Sequence, residues 1–205
     1  MKKLIYFLAV LILMCFSCES GNKSSESSES QDSTQIDTLL AAFKKIDSLK
    51  NNGQLFHLDI FEIGKLGSIY FDVYKVTCGD ESAQYINLKK DCGGQYYYDW
   101  EDAILVQGEI KYLLSAVDTV LSNFDRPCNH EERYIYITKD DIRLFSSAWE
   151  NRKWSASLSV DYHKKDASVS LDKEGLNKLK DLLKKGNETI DSLVQKSDTS
   201  VVIAK

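Results

Sequence analysis

Sulfur, imidazole and carboxylate come closest together at Cys128-Asn129-His130-Glu131-Glu132. A thiol beside a histidine is the pairing that a cysteine nucleophile uses, and Cys, His and Glu can each ligate a metal. In an extended chain Cys128, His130 and Glu132 share one face, since side chains alternate with a period of two. A metal centre needs three or four ligands converging from different segments, and the sequence holds no second such cluster. The segment therefore reads as a loop with a structural cysteine, and a hydrolase or thiol enzyme around Cys128 and His130 stands as an alternative. His57 and His163 lack spaced partners. The acidic pairs Asp80-Glu81, Glu101-Asp102, Glu131-Glu132 and Asp140-Asp141 fall at turns or element ends, where carboxylates cap backbone or face water. Phosphate loop, nucleophile elbow and His-Glu-x-x-His sequence are all missing, so no catalytic residue, cofactor or metal ligand is assigned and a non-enzymatic role is expected.

A second constellation is aromatic. On a strand, Tyr96, Tyr98 and Trp100 share one face, with Tyr97 and Asp99 on the other. Exposed, the row is a candidate ligand platform on which a sugar ring or a protein could stack; buried, it is a core layer. Apolar residues continue at Ala103 and Leu105, which favours core.

The elements that must position these residues are legible from periodicity. Ile36, Leu39, Leu40, Phe43, Ile46 and Leu49 recur at helical spacing after Thr34, a candidate N-cap, and Asn52-Gly53 is a stop. Segments 55–63, 68–77, 84–89 and 95–106 are rich in Ile, Val, Tyr and Phe and are separated by glycine-bearing turns, as in an antiparallel meander. A helix follows over 109–124, with Ile110, Leu113, Leu114, Val117 and Leu121 as its stripe, ending near Pro127. The order then repeats, with strands over 132–138, 141–147, 153–162 and 167–171 and a helix over 173–185 closed by Gly186-Asn187. Leu105, Ile110, Leu113 and Val117 superpose on Leu171, Leu176, Leu179 and Leu183 at one constant offset, and Tyr96 superposes on Tyr162. The expectation is an α+β fold: two antiparallel meanders, each followed by a helix, as a duplicated ββββα unit with an extra N-terminal helix. This order of elements resembles the Whirly class of single-stranded-DNA binders in topology. No residue motif accompanies that resemblance, and topology does not carry function.

The chain opens Met1-Lys2-Lys3, runs through an apolar stretch at 4–16 and reaches Cys15-Phe16-Ser17-Cys18-Glu19. The stretch has the length of a signal-peptide core and is too short to span a bilayer as a helix. Small Ser17 before Cys18 resembles the lipobox of bacterial lipoproteins, although Cys15 and Phe16 stand where Leu and a small residue are commonest. The resemblance implies a signal peptide at 1–17, a diacylglyceryl thioether on Cys18 and cleavage before it. The protein would then be held at a membrane by acyl chains, on the periplasmic side or at the cell surface. Residues 19–34 contain no aliphatic or aromatic side chain and read as a flexible tether, leaving one globular domain over 35–205.

Cleavage there would remove Lys2 and Lys3 and take the net charge from −5 to about −7. An acidic exported protein is a poor partner for nucleic acid, whose phosphates require a basic face. What remains is an accessory or protein-binding module of the envelope, with a glycan-binding lipoprotein using Tyr96, Tyr98 and Trp100 as one alternative. A toxin-immunity lipoprotein is another. An oxidising compartment favours disulfides. If the strands alternate in direction, the chain brings Cys128 back toward Cys92, so a Cys92–Cys128 bridge with Cys78 unpaired, worth about 3–4 kcal/mol in the chain-entropy model, stands as one reading beside three reduced, partly buried thiols, which the sequence slightly favours.

Overall fold

The computed structural model describes residues 29–93, 100–149 and 152–202, so the segment that resembles a lipobox, with Cys18, lies outside the described residues. The fold is α+β, with two four-stranded antiparallel sheets and three helices. The helix α1 (Glu29–Asn51) precedes the first sheet, formed in sequential order by β1 (His57–Leu66), β2 (Ile69–Cys78), β3 (Glu81–Asp91) and β4 (Trp100–Leu105). Next come α2 (Gln107–Asn123) and a second sheet of β5 (Glu132–Ile137), β6 (Arg143–Ala148), β7 (Ser155–Ser159) and β8 (Ser168–Leu171), and α3 (Lys173–Val202) closes the chain. The order ββββα is used twice.

Local chemistry explains the hairpins. Leu66 pairs with Ile69 and Cys78 with Glu81, so two residues make each turn. Gly67 and Gly79 open them at φ 57° and 58°, the left-handed region that only glycine enters without cost. The positions that superposed in sequence occupy equivalent places: Leu105 and Leu171 end β4 and β8, and Ile110, Leu113 and Val117 are as buried as Leu176, Leu179 and Leu183. Tyr162 falls in the β7–β8 connection, whereas Tyr96 lies outside the described residues.

The two helices exchange sheets. Although α3 closes the second meander, it packs mainly on β1, β2 and β3, while α2, which closes the first, packs on β5 and β6 as well as β3. One core runs through both sheets and both helices, from Phe71, Val73 and Ile86 through Leu113 and Leu179 to Leu144 and Leu158. Each such side chain contributes about 1.5–3 kcal/mol on burial. Two glycines permit the close approach of α3. A Cβ on Gly64, at a break in the β1–β2 register, would meet Leu182 Cδ2 at 2.8 Å, and one on Gly186 would meet Ile86 Cδ1 at 2.5 Å. Lys185 Nζ also donates to the carbonyl of Ile63 at 2.7 Å.

Two expected boundaries move. Gly186 does not end the last helix, because its missing side chain makes room for Ile86; beyond it Ile190 and Leu193 continue the buried stripe. The first helix starts at Glu29, inside the segment assigned to the tether. Once a helix is nucleated, each added residue costs little, so polar residues can extend it without burying anything.

The second meander is also fastened to the first by two carboxylates, one on α2 and one in the β5–β6 connection. Glu109, in the first turn of α2 and 4% exposed, accepts the Lys139 N–H at 2.8 Å. Asp140 accepts the Ile104 N–H of β4 at 2.6 Å. Burial raises the pKa of both above their ordinary values of 4.5 and 3.8, against the lowering effect of those hydrogen bonds. Both carboxyls thus bind protons more tightly folded than unfolded, so their contribution is full below those ordinary values and is lost as pH rises through the raised folded ones. Urea titrations from about pH 4 to about pH 8 should show this slope, and Glu109→Gln should flatten it. An unchanged slope in Glu109→Gln would exclude Glu109 as its source.

Candidate functional site

The outward face of the first sheet is divided in two. Over one half, Ile46 and Leu49 of α1 bury Val76, Cys78, Ala83 and Tyr85. Cys78 is a buried free thiol in this layer. Tyr85 is fully buried and its hydroxyl has no hydrogen-bond partner among the described residues. Burial raises its pKa further, with smaller contributions from Tyr74 and Asp102.

The other half is open. Strand pairing sets Tyr70 beside Lys89, Lys89 beside Asp102, and Trp100 at the edge opposite Asp91. Trp100 is 45% exposed and Ile60 54%. The Tyr70 and Trp100 rings lie 5.9 Å apart, tilted by 59°, within the centroid separation at which aromatic pairs attract. Lys65 donates to the Tyr70 hydroxyl at 3.1 Å and stands 4.4 Å over its ring. Lys89 pairs with the buried Asp72 at 2.6 Å. Burial pulls the Lys89 pKa down, but hydrogen bonds and charge from Asp72 and Tyr74 outweigh it and hold it above the ordinary value. Paired ions around half-exposed aromatic rings make a surface suited to recognition; no nucleophile with an adjacent base is among them.

Trp100 therefore is not in the core layer favoured for its row. It sits on the half of the outward sheet face that α1 does not reach, while Ala103 and Leu105, three and five residues further along and so on the opposite face, point into the core. Tyr96 and Tyr98, the other members of the row, lie outside the described residues. Tyr70, Lys65 and Lys89 were not singled out in the sequence, because only strand pairing brings them next to Trp100.

The Cys128 cluster borders a cleft of about 590 Å³ lined by Phe124, Arg126, Arg152, Trp154 and Lys173 among others. Trp154 forms its wall, donating to the Arg126 carbonyl at 3.0 Å and stacking on Tyr134 at 5.3 Å. Glu132 gathers the charged groups: it pairs with Arg126, and its Oε1 lies 3.7 Å from His130 Nε2 and 3.8 Å from Cys128 Sγ. The structure thus brings Cys128, His130 and Glu132 together, but the Cys128 thiol is 3% exposed and donates to the His130 carbonyl, while the imidazole reaches Glu132. No imidazole–thiol contact forms. Among the described residues no three His, Cys, Asp or Glu side chains are grouped to hold a metal ion. His57 and His163 are exposed and face Asp59 and Asp141, at 2.9 and 3.9 Å.

The candidate Cys92–Cys128 bridge does not form, and Cys78, Cys92 and Cys128 are all reduced. Cys92 Sγ donates to the Asp166 carbonyl at 3.6 Å, beyond the Ser159 end of β7, whereas Cys128 packs with Ala148 and Trp154 at the Ser155 end. A strand of five residues spans about 13 Å, well past the roughly 7 Å between Cα atoms that a disulfide tolerates. The chain returns along the second sheet, not the first, and carries Cys128 away. No protein-family model matches the chain, and no curated protein matches it.

Proposed function

We propose that the chain is an exported lipoprotein, anchored through acyl chains on Cys18, whose domain binds another protein of the envelope without catalysing a reaction. The observation that carries the binding surface is Trp100, 45% exposed beside Tyr70 on the half of the first sheet that α1 leaves open. Large aromatics at the centre of a patch ringed by charge dominate binding energies at protein interfaces. The anchor rests on the resemblance of Ser17-Cys18 to a lipobox. Among the described residues no helix is long and apolar enough to cross a membrane.

Two measurements test this reading. Metabolic labelling with a fatty acid should mark the wild-type chain, and Cys18→Ser should lose the label and accumulate an uncut precursor; labelled Cys18→Ser would remove the anchor. A photo-crosslinking residue at position 100 should capture a discrete protein, and Tyr70→Ala should weaken that capture about tenfold or more without shifting thermal unfolding. Absence of any protein adduct, with retention on envelope polysaccharide that Trp100→Ala abolishes, would replace the protein partner by a glycan.

A further inference from the structure

Three of the four outer strands of the two sheets are guarded. β1 carries a break in register at Gly64, and its Ile63 carbonyl is taken by Lys185. On β4 the Ile104 N–H is occupied by Asp140. β8 is only four residues long. β5 has neither a bulge nor a proline, and among the described residues no hydrogen bond from outside its sheet reaches the backbone of Glu132–Ile137. Its outward side chains include Ile135 and Ile137, exposed at 57% and 44%, with Phe145 across the strand pair from Ile135. On the inward side, Tyr134, Tyr136 and Leu144 border a groove of about 210 Å³ whose far wall is Ala116, Thr119 and Val120 of α2. An open strand edge that is aliphatic on one side and grooved on the other is a feature monomeric proteins remove.

We propose that the edge of β5 is a self-association site, where β5 of a second copy adds antiparallel about Ile135 and joins the two second sheets into one. The sequence of this edge complements itself about that axis. Ile135 falls opposite Ile135 of the second copy, and Arg133 falls opposite Ile137, along which its aliphatic stem can lie. Just outside the strand, Glu131 comes opposite Lys139, once on each side of the axis, so the flanks attract. An added strand also sends alternate side chains toward the groove beside α2, which completes its apolar lining. This surface is separate from the Trp100 face and does not depend on the lipid anchor.

The register makes the test specific. The full chain in detergent should have the protein mass of two copies by light scattering. Residues directly opposite on antiparallel strands have Cβ atoms about 4.5–5.5 Å apart, so Ile135→Cys should form an intermolecular disulfide on mild oxidation. Ser170→Cys, on β8 at the other edge of the same sheet, should not. Ile135→Lys sets like charges against each other and should weaken association at least tenfold; since the position is exposed in the single copy, its unfolding midpoint should match wild type at dilutions where both are monomeric. A monomer at about 1 mM, a dimer indifferent to Ile135→Lys, or a foreign protein crosslinked at position 135 in place of a second copy would each overturn the proposal.

Discussion

Expressed alone, residues 37–124 and 125–205 should each lack a cooperative unfolding transition, and co-expressed they should assemble into one folded species. Each fragment contains a complete ββββα repeat, so a reading in which the repeats are independent expects two stable half-domains. The helix exchange forbids it. The first fragment would keep α2 but lose α3, exposing Ile63, Phe71, Val73 and Ile86 on the inner face of its sheet. The second would keep α3 with little of its own sheet to bury Leu179, Leu183 and Ile190 against. At about 1.5–3 kcal/mol for each large apolar side chain re-exposed, either loss is comparable with the whole stability of a typical domain, about 5–15 kcal/mol. The Glu109–Lys139 and Asp140–Ile104 bonds would be severed as well. Calorimetry of each fragment and of the mixture decides the matter: a sharp transition in either fragment alone would show that the exchange contributes little.

How much of this was written in the sequence differs by element, for physical reasons. The hairpins were legible because Gly67 and Gly79 are local signals, set by φ values that glycine alone adopts without cost. The repeat was legible because both helices bury the same stripe, Ile110, Leu113 and Val117 against Leu176, Leu179 and Leu183. Which sheet each stripe meets is a long-range fact that no local pattern encodes, so the helix exchange, and with it the separation of Cys92 from Cys128, could not be read. The face of Trp100 failed for a related reason. Alternation gives two faces to a strand but does not tell which one a later or earlier helix covers, and α1 stops short of Trp100. In the Cys128 cluster the sequence offered one shared face only if the segment is extended; the chain bends at Asn129-His130, so the buried thiol turns to a carbonyl while the exposed imidazole turns to Glu132. Glu109 was seen only as the start of a helix. Its position three residues after Val106 is the spacing of a side chain that folds back on a helix N-terminus, and that signal was available.

Gly186→Val should destabilise the protein by about 3 kcal/mol, one of the largest effects open to a single residue. Taken as a helix stop, Gly186 could be replaced at little cost, and taken as an exposed helix interior its replacement by alanine should gain about 1 kcal/mol. Its place in the stripe Leu179, Leu183, Gly186, Ile190, Leu193 says otherwise, since it faces the first sheet with the buried residues around it. A Cβ there would lie 2.5 Å from Ile86 Cδ1 and 3.1 Å from Cγ1. Ile86 is fully buried, so its terminal methyl has no empty volume to enter. Alanine therefore trades a propensity gain against about 1–3 kcal/mol of overpacking, and valine adds two methyl groups and a stiff χ1 to the same clash. The partner identifies itself in a double-mutant cycle. Ile86→Val removes Cδ1 and alone should cost about 0.5–1.5 kcal/mol, but in the Gly186→Ala background it should cost less than that or stabilise. Urea unfolding of the four proteins measures the coupling; strict additivity, or a Gly186→Val protein as stable as wild type, would mean that α3 does not need the glycine to approach β3.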